Sequence, residues 1–216
     1  MYNLSTSGTL GDVYIIVLKL LKIYKGKSVK VHHYTIHKNW YDDIRSIFSL
    51  YGNIEVEFVD KKRKDLDHID ASYKHLPQEF FPKLVFNPNL AYKANYSVVQ
   101  PHSGKKVGFN AKYLSIENTD YLIAEAAAFS DVILVGTHKR YKSIGGCLNL
   151  IGKTSILEAM SVVSKSNIFI GPEGLLSFVA LSHKIKSLVF YTEYAAVAER
   201  IVGTPWEQYC ILRKAV

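Results

Sequence analysis

The residues with the most chemical potential in this chain lie where short apolar runs give way to small and polar side chains. Three such junctions fall in the second half. Val99-Gln100 leads into Pro101-His102-Ser103-Gly104-Lys105-Lys106, Val135 into Gly136-Thr137-His138-Lys139, and Ile170 into Gly171-Pro172-Glu173-Gly174. The last runs straight into Leu175 and a helical pattern, and backbone amides at a helix start, with glycines allowing close approach, form a phosphate site. Glu173 does not suit a phosphate. Its carboxylate either accepts hydrogen bonds from sugar hydroxyls or complements the positive end of the helix. Lys105, Lys106 and Lys112 are either diphosphate ligands or solvated surface lysines. Taken singly, each loop is ordinary turn chemistry; three on one sheet edge read as a ligand site, and the mixture suits a nucleotide sugar.

The first half has one corresponding feature, Gly11-Asp12 at the start of a helix. The Asp is either an N-terminal capping acid, worth about 0.5–2 kcal/mol, or a general base able to deprotonate an acceptor hydroxyl. Periodicity alone favours the cap, and Ser5-Thr6-Ser7-Gly8 reads as a flexible approach to it. His32, His33, His68 and His75 form no ligand spacing with an acidic partner, so no metal site is expected. Cys147 and Cys210, in no CxxC arrangement, are expected as two reduced thiols.

The elements that must position these residues alternate between two periods. Val13 to Tyr24 reads as a buried helix ending before Gly26, and Val29 to Ile36 as a strand. Trp40, Ile44, Ile47, Phe48 and Tyr51 mark one helical face closed by Gly52, and Ile54, Val56 and Phe58 alternate with glutamates as a half-buried strand. In the second half, strands are expected at 96–100, 132–135, 168–170 and 188–191, separated by helices at 118–129, 155–164 and 175–183. Ser155 and Glu158 have capping-box spacing. Apolar strands alternating with helices imply parallel sheets covered on both faces. The fold class is therefore α/β, two tandem Rossmann-like domains, with ligands at the carboxyl ends of the strands. Pro77, Pro82 and Pro88, with one short strand expected over Leu84 to Phe86, set the boundary between a domain at 1–88 and another at 95–216.

The 216 residues, 48% hydrophobic and 21% charged, exclude disorder, collagen and coiled coil. No window reaches the ~18–20 apolar residues of a membrane span, and the N-terminus lacks a basic secretory n-region, so a cytoplasmic protein is expected. The net charge of +8 calls for some anionic partner. It is spread evenly, with 14 basic and 10 acidic residues before Tyr96 and 13 and 9 from it onward, so there is no basic arm of the kind that often binds nucleic acid.

At these residues the sequence resembles the heptosyltransferase family, glycosyltransferase family nine, enzymes of GT-B architecture with two Rossmann-like domains facing a cleft. Gly8-Thr9-Leu10-Gly11-Asp12-Val13 matches the family's opening loop and helix. Val99 to Gly104 and Lys112-Tyr113 are similar to its second-domain strand, small-residue loop and Lys-x-Trp element, without the tryptophan. Leu150 to Glu158 and Asn167 to Tyr191 resemble its gly-lys-thr-ser helix start, acidic donor turn, following helix and final strand. Two departures stand in the turn: Glu173 where the family has Asp, and Phe178 where it has His. The chain is also shorter than typical members.

The resemblance implies Asp12 as catalytic base. It places Gly11, Ser103, Gly104, Lys105, Lys112, Gly171, Glu173, Gly174 and Leu175 around a nucleotide-diphosphate sugar, with Gly136 and Thr137 beside its base or ribose. Transfer to an acceptor hydroxyl, a saccharide in preference, is expected without metal or cofactor, backbone dipoles and a lysine stabilising the departing diphosphate. Two other readings are open. A hydroxylated DNA base as acceptor would draw on the charge, Lys61-Lys62-Arg63-Lys64 and the 15 tyrosines. A nucleotide-binding module that lost catalysis would account for Phe178.

Overall fold

The computed structural model describes residues 1–72, 95–103, 112–113, 116–137, 146–198 and 200–215. The three boundary prolines and the strand expected over 84–86 lie outside the described residues. The chain divides into two compact units, Met1–Leu84 and Val85–Val216.

Unit 1 runs β1 (Tyr2–Ser7), α1 (Leu10–Ile23), β2 (Val29–Tyr34), α2 (Tyr41–Phe48), β3 (Ile54–Val59) and β4 (Asp67–Ile69), with short 3-10 turns on either side of α2. Its sheet has the order β3-β2-β1-β4, and every pairing is parallel. Ser5 to Ser7 of the segment read as a flexible approach to Asp12 thus end the inner strand on which the unit is built. Its alternation explains both the structure and the misreading. Leu4 and Thr6 share a face with Val31 and His33, the face on which His33 meets Phe48 of α2. Asn3, Ser5 and Ser7 share the other face with Lys30 and His32, so half of β1 is polar.

Residues 60–66 carry the chain from β3 across to the far side of β1 without a helix. Lys30 lies 2.7 Å from Glu55 and 3.2 Å from Glu57, which also approaches His32. Arg63 in the crossover makes a two-pronged pair with Asp65 at 2.8 and 2.6 Å, so the basic run 61–64 is partly neutralised by the acid that follows it. The exit of β4 is tied back to α1. The Lys19 ammonium, almost buried, donates to both the Asp70 carbonyl and its carboxylate at 2.8 Å. Burial pushes the Asp70 carboxyl up, but Lys19 and the Ser72 amide outweigh it and hold it below the ordinary range.

Unit 2 continues with β5 (Tyr96–Val99), a two-stranded antiparallel pair β6 (His102–Ser103) and β7 (Lys112–Tyr113), then α3 (Ile116–Ala127), β8 (Asp131–Leu134), β9 (Cys147–Asn149), α4 (Ile156–Ser164), β10 (Ile168–Pro172), α5 (Leu175–Ser182), β11 (Lys186–Tyr191), α6 (Tyr194–Ala198) and β12 (Cys210–Lys214). Its main sheet has the order β12-β11-β10-β5-β8-β9 and is parallel throughout. The four expected inner strands are present, while the edge strands β9 and β12, short or half-exposed, gave no continuous apolar run to read. Val99, Ile123, Ala126, Val132, Leu134, Ile151 and Ile170 form one core cluster. The expected capping box of α4 is made, with the Ser155 amide donating to Glu158 at 2.7 Å and the Glu158 amide to Ser155 Oγ at 3.3 Å. Among the described residues no helix is long and apolar enough to cross a membrane.

The buried His33 makes unit 1 sensitive to acid. Burial lowers its pKa from 6.5 to about 4, against the smaller opposing pulls of the Gly8 backbone and Asp12. The unfolded chain takes up a proton that the folded chain refuses. The contribution to stability is therefore complete above about pH 6.5 and is lost as pH falls through 4, roughly 3 kcal/mol in all. Urea titrations at stepped pH should show this acid slope, and His33→Gln should flatten it.

Candidate functional site

In each unit the order of strand addition reverses beside one inner strand. In unit 1 the chain adds β2 and β3 on one side of β1 and then returns to add β4 on the other. In unit 2 it adds β8 and β9 on one side of β5 and returns to add β10, β11 and β12 on the other. Ligands of open parallel sheets bind outside the carboxyl ends of the strands at such a reversal, where neighbouring loops diverge and leave a crevice. The reversal in unit 1 is followed by Gly8-Thr9-Leu10-Gly11-Asp12. The reversal in unit 2 carries Gln100 to Ser103 on one side and Gly171 to Gly174 on the other.

Asp12 sits in the first turn of α1, and its carboxylate folds back on the loop. Oδ2 accepts from the Thr9 amide at 2.8 Å and from the Thr9 hydroxyl at 3.0 Å. The capping role is therefore made, and it fixes the carboxylate at the strand end instead of along the helix. Gly8 makes this possible. Its φ is +133°, and a Cβ there would stand 2.5 Å from Asp12 Cβ and 2.6 Å from Oδ2. Gly11 is buried in the same turn.

In unit 2 the loops after β5, β8, β9 and β10 meet. The Gly136 carbonyl accepts from the Gly152 amide at 2.7 Å, and a Cβ on Gly136, whose φ is +137°, would lie 3.5 Å from the His102 carbonyl. Thr137 is exposed beside it. Gly171 owes its identity to packing, since a Cβ would meet Gln100 Cβ at 2.9 Å and the Phe169 ring at 2.8 Å. Only the backbone of Ser103 and Lys112 is described, paired with each other across β6 and β7. Gly104 and Lys105 lie outside the described residues, as do Lys106, His75 and His138.

The acidic turn differs in detail from a bare phosphate cradle. The Glu173 amide donates to the Phe190 carbonyl at 2.7 Å, and the Gly174 amide to Ser177 Oγ at 3.0 Å, which in turn donates to the Gly174 carbonyl. Two of the three amides expected to face a diphosphate are thus engaged, and Leu175 is buried in the core. Glu173 is only 2% exposed. Arg200, beyond α6, brings Nη1 within 3.6 Å of its Oε1 and offsets the cost of burying the charge. Phe178 packs on Trp206, ring centroids 5.7 Å apart at 21°, and both are buried. The position at which the resemblance has a histidine is here a core position with its own aromatic partner.

Arg200 and Ser177 were not singled out in the sequence. Arg200 belongs to no motif. Ser177, three residues after Gly174, is a reciprocal cap that the spacing contained. Burial raises the Cys147 thiol and, with Glu207, raises Cys210 to about 12, so neither is a thiolate at neutral pH. Among the described residues no three His, Cys, Asp or Glu side chains gather to hold a metal ion.

No protein-family model matches the chain, and no curated protein matches it in sequence. The fold has clear counterparts. The glycosyltransferase family 9 structure from Veillonella parvula superposes with a TM-score of 0.63 at 9% identity, over 99% of this chain and 86% of that one. E. coli ADP-heptose lipopolysaccharide heptosyltransferase II gives 0.56 at 14%, over 99% and 90%. The glycosyltransferase TibC from enterotoxigenic E. coli H10407 gives 0.61 at 15%, over 97% of this chain and 62% of TibC, so the chain spans less than two thirds of that protein. TibC is an iron-containing, dodecameric enzyme. That corrects the expectation of a chemistry without cofactor, because the fold does not carry cofactor independence with it. What the likeness establishes is the architecture: two α/β units with parallel sheets, as in GT-B glycosyltransferases.

Proposed function

We propose that the chain is a glycosyltransferase that moves a sugar from a nucleotide-diphosphate sugar to an acceptor hydroxyl, a saccharide by preference. The observation that carries the reading is that both strand-order reversals present chemistry suited to one half of such a reaction. A fixed carboxylate follows β1, and an acidic turn backed by a cation follows β10. The likeness to structures described as heptosyltransferases supports the same reading.

In this mechanism the acceptor oxygen forms a bond to the anomeric carbon as the bond from that carbon to the diphosphate breaks. The electron pair leaves with the nucleoside diphosphate, and the acceptor proton passes to the Asp12 carboxylate. The Thr9 amide and hydroxyl hold Asp12 in the orientation that receives it. Unit 2 binds the donor at Gly136, Thr137 and the 171–175 turn, and Ser103, Gly104, Lys105 and Lys112 are its further ligands as the sequence suggests. With Glu173 neutralised by Arg200 and two turn amides engaged, the guanidinium becomes the group that favours negative charge on the leaving diphosphate.

The substrate class is tested first by thermal shift with adenosine, guanosine, uridine and cytidine diphosphates. One of them should stabilise the protein by about 2.7 kcal/mol at 100 times its dissociation constant, and no shift with any would count against the donor assignment. Donor hydrolysis across a nucleotide-sugar panel then tests the roles. Asp12→Ala should lower turnover at least tenfold, about 1.4 kcal/mol of barrier, with nucleotide affinity retained, whereas Arg200→Ala should weaken nucleotide affinity. Turnover unchanged in both variants would remove the site assignment.

A further inference from the structure

Asp12 is held by more than its own helix. The end of β2 holds the approach to this turn at two neighbouring points. Tyr34 accepts the Gly8 amide at 3.2 Å, and His33, one residue earlier, reaches Thr6, two residues before Gly8 in β1. Gly8 in turn lies directly beneath the Asp12 side chain, with no room for a Cβ between them. His33 is fully buried. Its Nδ1 is 2.9 Å from Thr6 Oγ1 of β1, and its ring stands edge-on between Phe48 of α2, at 5.5 Å, and Phe58 of β3, at 6.1 Å. Among the described residues Nε2 meets no hydrogen-bond partner. An apolar side chain would fill this site without that polar cost, so packing alone does not account for a histidine here.

We propose that His33 is a positioning residue for Asp12, acting through Gly8: the imidazole, oriented by Thr6, fixes the turn on which the carboxylate rests. The inference rests on the reading of Asp12 as the base. The groups around the ring fit a fixed, uncharged part. β1 brings Thr6, α2 and β3 bring phenylalanines, and α1 brings Asp12, whose charge, alone among the described residues, acts on the ring. Without the imidazole the turn is located by the Tyr34 carbonyl and the cap alone, and a misplacement of about 1 Å in a catalytic group costs on the order of a hundredfold.

The test is donor hydrolysis by the full chain, measured as kcat and KM over the nucleotide-sugar panel. His33→Leu should lower kcat at least tenfold while KM for the donor stays within twofold. His33→Gln, whose amide can still bond Thr6, should recover most of the loss. Thr6→Val, which keeps the core volume and removes the orienting hydroxyl, should shift kcat the same way by a smaller factor, and it decides the matter if His33→Leu fails to fold. Ile44→Val in α2, which lowers the melting temperature away from Gly8, should leave kcat unchanged. If kcat for His33→Leu or Thr6→Val stays within twofold while Asp12→Ala is inactive, the positioning role is overturned and the base assignment stands. If Asp12→Ala is fully active, or the wild type hydrolyses no donor, both fall.

Discussion

A parallel strand can be joined to its neighbour only after the chain has travelled back the length of the sheet, and both main sheets of this protein are parallel throughout. Most of the architecture is a response to that requirement. Where the return contains a helix, it covers a sheet face and allows the strands beneath to be apolar on that side. Where it does not, as between β3 and β4, the face carries Lys30, His32, Glu55 and Glu57 pairing with one another. The same requirement creates the crevices, because the return must at some point change side. β1 and β5 are the strands at which it does so, and the chemically distinctive loops follow them or their new neighbours.

The unit 2 loops show how a familiar arrangement can be kept in outline and altered in charge. An acid stands at the end of β10, but it is buried against Arg200. A helix starts there, but Ser177 takes up the Gly174 amide. The aromatic at 178 has a partner in Trp206. These changes are mutually consistent. A carboxylate withdrawn from solvent needs a cation, and a side chain turned into the core needs something to pack on. The turn is thus close to neutral and closed.

The inner strands of unit 2 were legible because continuous apolar runs between helical patterns are distinctive, and the α4 cap because Ser155 and Glu158 are local in sequence. β1 was not, for a physical reason: Asn3, Ser5 and Ser7 share the face that carries Lys30 and His32, and Thr6 on the other face bonds His33, so from Asn3 to Ser7 only Leu4 is apolar and the segment resembles a polar lead-in. The edge strands β9 and β12 were missed because edges need not be apolar. Of the candidate site, the loops themselves could be found from composition, and Asp12 from its place after glycine. What could not be found were the partners of those residues. Arg200 reaches Glu173 across 27 positions, and His33 reaches Thr6 across the same span. Such pairings are set by the register of parallel strands and the course of the loops, which no local pattern encodes.

The outermost strand of unit 2, β12, bears on how copies of the protein behave together. An open sheet offers its last strand's unpaired backbone to any passing chain, a route to disordered association. β12 ends in Arg213 and Lys214, both exposed, so two such edges approaching each other bring like charges together before any hydrogen bond can form. The excess positive charge of the whole chain adds to that repulsion. Basic character at an edge strand and a net positive charge both oppose such association, an effect that involves no anionic ligand.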